Sequence, residues 1–203
     1  MLRVGLTGGI ACGKSTVAEM LVRRGAHFLS ADKLAHQLYA PDTVVYNELI
    51  RAFGNGILGA DGSIDRAKLA KAVFPDRVDE LNAIVHPAVI EAQKRWMSEV
   101  ELDDPHGVAV VEAALIFEAG VEKDFDKIIV VTCGSEQKIE RFARRMALAL
   151  DQARIEVERR SAAQLTDEEK KRRADYVIAN SGSIEEMEQE VEKVWTELQA
   201  LAT

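Results

Sequence analysis

The residues best suited to chemistry lie near the start of the chain, in the segment Gly8–Ser15, which reads GGIACGKS. The segment fits the phosphate-binding pattern G-x-x-x-x-G-K-[ST], directly after an apolar strand pattern and before a helical one. Glycines let such a loop wrap closely, so that its backbone N–H groups and the helix N-terminus face an anion. Lys14 would hold the β- and γ-phosphates, and the Ser15 hydroxyl would bind Mg²⁺. The sequence therefore predicts a nucleotide-binding P-loop.

A second candidate group is Asp32, which follows the second apolar run in the order Ser30-Ala31-Asp32. Ligands of open α/β sheets bind at the carboxyl edge of the strands, so this carboxylate would lie near the γ-phosphate. There it could orient a substrate hydroxyl and accept its proton during in-line transfer. A helix N-cap is an equally good explanation for an aspartate at this position.

The chain has two cysteines, Cys12 within the P-loop and Cys133 far from it in sequence. Two cysteines make neither a disulfide scaffold nor a zinc quartet, and they fit a reducing compartment. The helix dipole and Lys14 could lower the pKa of the Cys12 thiol. The sequence leaves two interpretations of Cys12 open, a redox role and a small side chain tolerated in the loop.

Short apolar runs alternate with longer helical patterns along the chain. The runs are continuous rather than alternating, as in strands buried on both faces of a parallel sheet. Predicted strands cover 2–7, 26–31, 108–111, 127–132 and 176–179. Predicted helices cover about 14–24, 32–40, 43–53, 65–73, 76–100, 135–160 and 166–173, with a last helix after Ser183. This alternation predicts a three-layer α/β P-loop fold with a five-stranded parallel sheet.

Two excursions exceed a minimal β-α-β repeat and define the predicted domains. The core comprises 1–32, 106–134 and 174–203, and the helical insertion 33–105 is interpreted as the acceptor domain. The segment 135–173 is interpreted as a helical lid and holds a basic island. Within that island we expect the run 170–173 to be a solvated helix face. We also expect His86-Pro87 to mark a helix break.

The overall charge limits the classes of partner. Lys and Arg number 26 against 34 Asp and Glu, a net charge of −8, which disfavours nucleic acid as the main partner. The longest apolar runs are far shorter than the roughly 20 residues of a membrane span. We therefore expect a cytoplasmic monomer or weak oligomer that binds neither nucleic acid nor membranes.

The P-loop alone does not settle the reaction. The guanine-specific N-K-x-D motif is absent, and no D-x-x-G follows the third predicted strand. These absences disfavour a switch GTPase. A small-molecule kinase, including a nucleoside or nucleotide kinase, and a P-loop ATPase that acts as a switch both remain open at this point.

Beyond the P-loop, the chain resembles the dephospho-coenzyme A kinase family over almost its whole length. The opening string GLTGGI and the later LIFE segment are more specific than a generic P-loop. The other matching residues are Gly13, Lys14, Ser15, Thr16, Ala31, Asp32, His86, Pro87, Arg141, Gln164, Ala174, Asp175, Asn180, Ser181 and Gly182. The resemblance implies ATP-dependent, Mg²⁺-assisted phosphorylation of the ribose 3′-hydroxyl of dephospho-coenzyme A, giving coenzyme A and ADP. It also implies a nucleoside-monophosphate-kinase-like fold.

The resemblance further implies roles for individual residues. Asp32 matches the general base, and Asn180 lies where the adenine edge is approached. Arg141 and Arg145 match lid arginines that reach the transferring phosphoryl group. The ATP-binding residues would be Ala11, Cys12, Gly13, Lys14, Ser15 and Thr16, and the acceptor contacts His86, Glu112, Leu115 and Phe117.

The residues themselves allow a plainer explanation of the two arginines. Arg141 and Arg145 are four residues apart on one helix face, where they could simply pair with Glu136 or Glu140. The chain also departs from the family pattern, with Ser30 and Glu112 in place of aspartates, His36 in place of an arginine and Ala114 in place of a proline. The lid between Arg145 and Gln164 is a few residues longer than usual.

Overall fold

The five strands lie where the apolar runs predict them. In the computed structural model, which describes residues 1–202, they are β1 (Leu2–Gly8), β2 (His27–Ser30), β3 (Val108–Glu112), β4 (Lys127–Thr132) and β5 (Tyr176–Ala179). They form one sheet in the order β2-β3-β1-β4-β5. Strand β1 pairs in parallel with β3 and β4, and β4 pairs in parallel with β5. The predicted α/β fold with a five-stranded parallel sheet is confirmed.

Helices connect the strands and supply the remaining layers. They are α1 (Lys14–Arg23), α2 (Ala31–Gln37), α3 (Val44–Phe53), α4 (Arg66–Val73), α5 (Val78–Asp103), α6 (Ser135–Met146), α7 (Leu150–Ala162), α8 (Asp167–Arg173) and α9 (Ile184–Ala202). Within residues 1–202, none of them is both long and apolar enough to cross a membrane.

The chain divides into two compact units. The first comprises residues 1–29 and the chain from residue 100 onwards, and the second comprises 30–99. In the first unit, the apolar faces of α1 and α9 are buried in one core with the sheet, which includes Val17, Ile129 and Leu198. The predicted lid segment 135–173 belongs to this unit. The second unit has its own core, in which Leu49 of α3 and Leu69 of α4 are buried.

The single helix predicted over 135–160 is wrong, because the chain forms two helices there. Helix α6 ends at Met146, where Ala147 takes a left-handed conformation with φ 52°. The Leu148 N–H then donates to the Ala143 carbonyl at 3.0 Å, which turns the chain back towards α7. The turn lets Phe142 of α6 share a small apolar core with the second helix.

The predicted helix break at His86-Pro87 is also wrong. Helix α5 continues through Pro87, and His86 is exposed on it. A proline inside a helix costs about 3 kcal/mol through the lost N–H and the clash with the preceding turn. Apolar residues on both sides of it, including Val85 and Val89, pack into the core of the second unit. We attribute the continuity of the helix to this burial, which offsets the cost.

Candidate active site

The P-loop connects β1 to α1, and two of its glycines take positive φ angles, which side-chain-bearing residues rarely adopt. Gly8 has φ 146°, and a Cβ at that position would lie 2.1 Å from the Val131 carbonyl oxygen. Gly13 caps α1 in a left-handed conformation with φ 92°. Ala11 is also left-handed, with φ 55°, although it carries a Cβ. Strain of this kind is typical of functional loops that the surrounding structure holds in place.

Lys14 folds back over the loop that it follows. Its Nζ donates to the carbonyl oxygens of Gly8 at 3.0 Å and Gly9 at 3.1 Å. Ser15, the next residue of α1, is exposed. The ammonium and the hydroxyl are therefore both at the helix N-terminus, where the dipole favours an anion.

Asn180 braces the loop from the far end of the chain. Its Nδ2 donates to the Cys12 carbonyl at 2.8 Å, and its Oδ1 accepts from Arg141 Nη2 at 3.2 Å. A Cβ at Gly13 would lie 2.1 Å from the same Nδ2, so this residue must be glycine while Asn180 is present. Asn180, which the resemblance places at the adenine edge, thus supports the P-loop. Its contact with adenine stays a prediction.

The two lid arginines singled out by the sequence have different surroundings. Arg141 reaches Asn180, and its Nη1 is a buried donor with no hydrogen-bond partner among residues 1–202. Arg145 is exposed, with its guanidinium 5.5 Å from the centre of the Phe142 ring. Glu136, a suggested partner for either arginine, pairs with Arg154 instead. Only Arg141 is brought to the P-loop in this structure.

A cavity of about 590 Å³ lies beside the P-loop within the first unit, in the size range of small-molecule sites. Lys138 and Asp167 line it, and their side chains form an ion pair of 2.5 Å. A Cβ at Gly9 would lie 3.0 Å from Lys138 Nζ and 3.1 Å from Asp167 Oδ1. The pair therefore lies directly against the loop.

Sequence reasoning missed this pair. Burial is the largest single influence on the pKa of Lys138 and lowers it, but the hydrogen bond to Asp167 and the negative charges of Asp167 and the two cysteines together outweigh burial and raise that pKa. A signal for one partner was present, because Thr166 and Glu169 form a capping box that places Asp167 in the first turn of α8. Nothing in the sequence pattern distinguishes Lys138 from the solvated lysines of the basic island.

The two cysteines meet at this site. Cys12 Sγ and Cys133 Sγ are 3.3 Å apart, and both side chains are buried. The hydrogen bond from the Cys133 S–H stabilises the Cys12 thiolate and, with the charge of Lys138, lowers the pKa of Cys12 to about 7 against the effect of burial. The same hydrogen bond raises the pKa of Cys133.

The expectation that residues 170–173 form a solvated face is wrong at Lys170, which is fully buried. Its Nζ lies 3.0 Å from Glu118 Oε1 and donates to Gln164 Oε1 at 3.1 Å. The same Glu118 oxygen accepts the Leu165 N–H at 2.8 Å. These contacts fix the start of α8 to the loop after β3, because a buried ammonium requires a charged partner.

The predicted acceptor contacts of the first unit lie near β3. Glu112, its last residue, is in register with Leu6 of β1, two residues before the P-loop begins. Leu115 is exposed, whereas Phe117 is buried, with the Arg173 guanidinium 4.6 Å from its ring centre. Their contact with an acceptor stays a prediction.

Asp32, His36 and His86 belong to the second unit. Ser30, and not Asp32, is the N-cap of α2, since its hydroxyl accepts the Lys33 N–H at 3.5 Å. Asp32 is an exposed residue of the first turn. The capping explanation for this carboxylate is therefore wrong. Burial and the charge of Arg66 lower the pKa of His36.

Comparison with known proteins agrees with this architecture. The sequence model of the dephospho-CoA kinase family matches residues 2–186. A dephospho-CoA kinase from Aquifex aeolicus is 43% identical over 200 residues, covering 98% of each chain. Among solved structures, a Thermus thermophilus protein has a TM-score of 0.81 at 34% identity, covering 97% of each chain. A dephospho-CoA kinase from Campylobacter jejuni has a TM-score of 0.72 at 28% identity, covering 99% of this chain and 98% of that one.

A parallel sheet with a P-loop after its central strand, a lysine folded over that loop and an arginine beside it define a P-loop kinase of the α/β class. The family match and the full-length relatives make the assignment specific. The chain belongs to the dephospho-CoA kinase family.

Proposed function

We propose that the protein transfers the γ-phosphoryl group of ATP to the ribose 3′-hydroxyl of dephospho-coenzyme A, giving coenzyme A and ADP. The observation that carries this proposal is the braced P-loop in a chain that matches the family over residues 2–186. The transition state of phosphoryl transfer is loose, so the protein chiefly positions groups and neutralises charge.

The P-loop is suited to hold the triphosphate. Its backbone N–H groups would bind phosphate oxygens. The Lys14 ammonium would give up its hydrogen bonds to the Gly8 and Gly9 carbonyls and donate to the β- and γ-phosphates instead. The acceptors in the two carbonyl contacts are neutral. Contacts with charged phosphate oxygens are about twice as strong, so binding of ATP would favour the exchange.

Ser15 fits a Mg²⁺ that is bound mainly through the nucleotide. Its exposed hydroxyl is a hard oxygen donor, and Mg²⁺ takes few protein ligands when phosphates and waters supply the rest. Residues 1–202 contain no cluster of three or more His, Cys, Asp or Glu side chains that could hold a metal by itself. When bound, the ion would neutralise charge on the β- and γ-phosphates.

Arg141 is suited to stabilise the transferring group. Its Nη2 is held by Asn180, which leaves the buried Nη1 as an unused donor near the loop. A buried donor without a partner is costly, about 1–3 kcal/mol, and a phosphate oxygen would relieve that cost. Arg145, which is exposed, would have to move to take part, and we keep it as a second lid arginine.

Asp32 is the proposed general base, and the loss of the capping explanation strengthens this role. The hydroxyl of Ser30 already caps α2, so a carboxylate two residues later is not needed to start the helix. We assign the second unit, with His86, to acceptor binding, together with Glu112, Leu115 and Phe117. The family resemblance alone supports these acceptor contacts.

We further propose that the enzyme works in the cytoplasm as a monomer or weak oligomer and without nucleic acid. The neighbouring free thiols and the net charge of −8 support the location and the absence of nucleic acid.

The test measures ADP release from Mg·ATP with dephospho-coenzyme A, and with nucleosides and nucleotides as parallel acceptors. We expect stimulation by dephospho-coenzyme A alone and coenzyme A as the product by mass. Stimulation by another acceptor would keep the kinase mechanism and refute the assigned substrate. Without stimulation by any acceptor, the proposed kinase reaction would be wrong.

A further inference from the structure

Two thiols meet where the P-loop passes the carboxyl end of the sheet. Cys12 is in the loop, Cys133 follows β4 directly, and their sulfur atoms are 3.3 Å apart. They are the only cysteines of the chain. The kinase reaction described above uses neither thiol, although one of them is in the loop that binds the nucleotide.

We propose that Cys12 and Cys133 form an oxidative modification site, at which a small hydroperoxide converts the two thiols into an intramolecular disulfide. The site is defined by the sulfur–sulfur contact and by the cavity beside it. Its existence does not depend on the kinase reaction, whereas its effect on catalysis rests on the proposed function.

The surroundings favour oxidation of this pair. The Cys12 sulfur accepts a hydrogen bond from Cys133, and Lys138 contributes a positive charge. Both effects stabilise a thiolate, which is the form that reacts with peroxides. Thiolate character alone would give a reactive cysteine, and the adjacent second thiol provides the group that resolves the oxidised sulfur.

The cavity gives access to the Cys133 side of the pair, although both side chains are buried. Cys133 lines the cavity of about 590 Å³ that also contains Lys138 and Asp167. Such a volume admits hydrogen peroxide easily, since a water molecule occupies about 30 Å³ in the liquid. A bulky disulfide reagent would have to open the loop first, and we therefore assign a small hydroperoxide as the oxidant.

The chemistry balances with hydrogen peroxide as the two-electron oxidant. One thiolate sulfur attacks a peroxide oxygen, forming a sulfenic acid, and the O–O bond breaks to release hydroxide, which takes up a proton. The second thiol then attacks the sulfenic sulfur, forming the S–S bond and releasing the oxygen as water. In sum, two thiols and one hydrogen peroxide give one disulfide and two waters.

Formation of the disulfide would pull Cys12, a residue of the P-loop, towards Cys133. An S–S bond is about 2.05 Å long, so the two sulfurs would approach by about 1.2 Å from their present 3.3 Å. The carbonyl of Cys12 is held by Asn180, and Ala11 beside it is already left-handed. A misplacement of about 1 Å in a catalytic site can cost about 10²-fold in rate. We expect a loss of this size, reversed by a thiol reductant.

The experiment treats the reduced full-length protein with hydrogen peroxide and follows intact mass, free thiols, a non-reducing peptide map and the kinase rate. We expect the mass to fall by two hydrogen atoms, both thiols to disappear together, and one peptide pair to link Cys12 to Cys133. The kinase rate should fall about 10²-fold and recover with dithiothreitol.

Cys133→Ser is the matched control, with Cys133→Ala as a second variant should the serine protein not fold. Either variant should form no internal link, and any oxidation of Cys12 in it should add oxygen to the mass instead of removing two hydrogen atoms. Two thiols that persist in the wild type, or a mass that rises by oxygen atoms without a link, would overturn the proposal. Mass, thiols and peptide map do not depend on turnover, so they remain decisive even if the proposed kinase reaction fails.

Discussion

Replacement of Lys170 by methionine tests whether the buried ion pair with Glu118 holds the start of α8. The lysine side chain is 0% exposed and that of Glu118 is 17% exposed. Methionine fills a similar volume but leaves the carboxylate without its cation. Breaking a buried pair in this way costs about 3–5 kcal/mol, and the partial exposure of Glu118 places our expectation near 3 kcal/mol.

Urea unfolding followed by circular dichroism measures this loss. With a slope of about 2 kcal/mol per molar urea, a loss of about 3 kcal/mol lowers the midpoint by about 1.5 M at unchanged slope. Lys171→Met is the matched control, because the adjacent lysine pairs with Glu168 at the surface, with side chains 37% and 78% exposed. Its pair is worth at most about 1 kcal/mol.

A double variant separates the charge from the packing. Glu118→Gln removes the charge but keeps an oxygen that can accept the Leu165 N–H. Combined with Lys170→Met, it should recover at least about 1 kcal/mol relative to Lys170→Met alone, since no uncompensated charge remains buried. The reasoning is refuted if Lys170→Met is no more destabilised than Lys171→Met, or if the double variant recovers nothing.

Four further predictions concern the reaction. Lys14→Ala abolishes transfer with an unchanged circular dichroism spectrum, whereas turnover near the wild-type rate would remove the P-loop lysine from the mechanism. Asp32→Asn keeps ATP affinity by calorimetry and lowers kcat by about 10²–10⁴-fold; an unchanged kcat would exclude it as general base. Arg141→Ala lowers kcat more than it raises the KM for ATP, and the reverse pattern would indicate ground-state binding only. Burial lowers the pKa of His36, so its imidazole is neutral at pH 7 and gains a proton only below pH 6.5. If this position faces the acceptor phosphates, the added positive charge should lower the KM for dephospho-coenzyme A as the pH drops. His36→Arg, which is charged throughout, should abolish that dependence.

The parts of the fold that depend on local pattern could be predicted from the sequence. Continuous apolar runs located all five strands, because strands buried on both faces need apolar residues at successive positions. The glycine pattern located the P-loop, because a tightly wrapped backbone needs glycine. The end of α6 was missed because Ala147 takes a left-handed conformation that no residue type signals there. The continuity of α5 through Pro87 was missed for another reason, namely that packing in the second unit outweighs the local cost.

The site was only partly predictable, because several of its contacts join distant parts of the chain. Lys170 is separated from its partner Glu118 by 52 positions, and a lysine within KKRR carries no local sign of burial. The Cys12–Cys133 contact spans 121 positions. Pattern and spacing therefore located the groups that we propose to contact the nucleotide, while the groups that support them became visible only in three dimensions.

The support of the P-loop by Asn180 has a consequence for the order in which the molecule is completed. The amide and the Cys12 carbonyl that it holds are 168 positions apart. A chain emerging from the ribosome contains the whole phosphate-binding motif once Ser15 has been made, but it lacks the group that fixes the loop until Asn180, directly after β5, has followed. The phosphate-binding motif is therefore made long before the side chain that supports it, so a fragment truncated before β5 would keep the motif and lose this support.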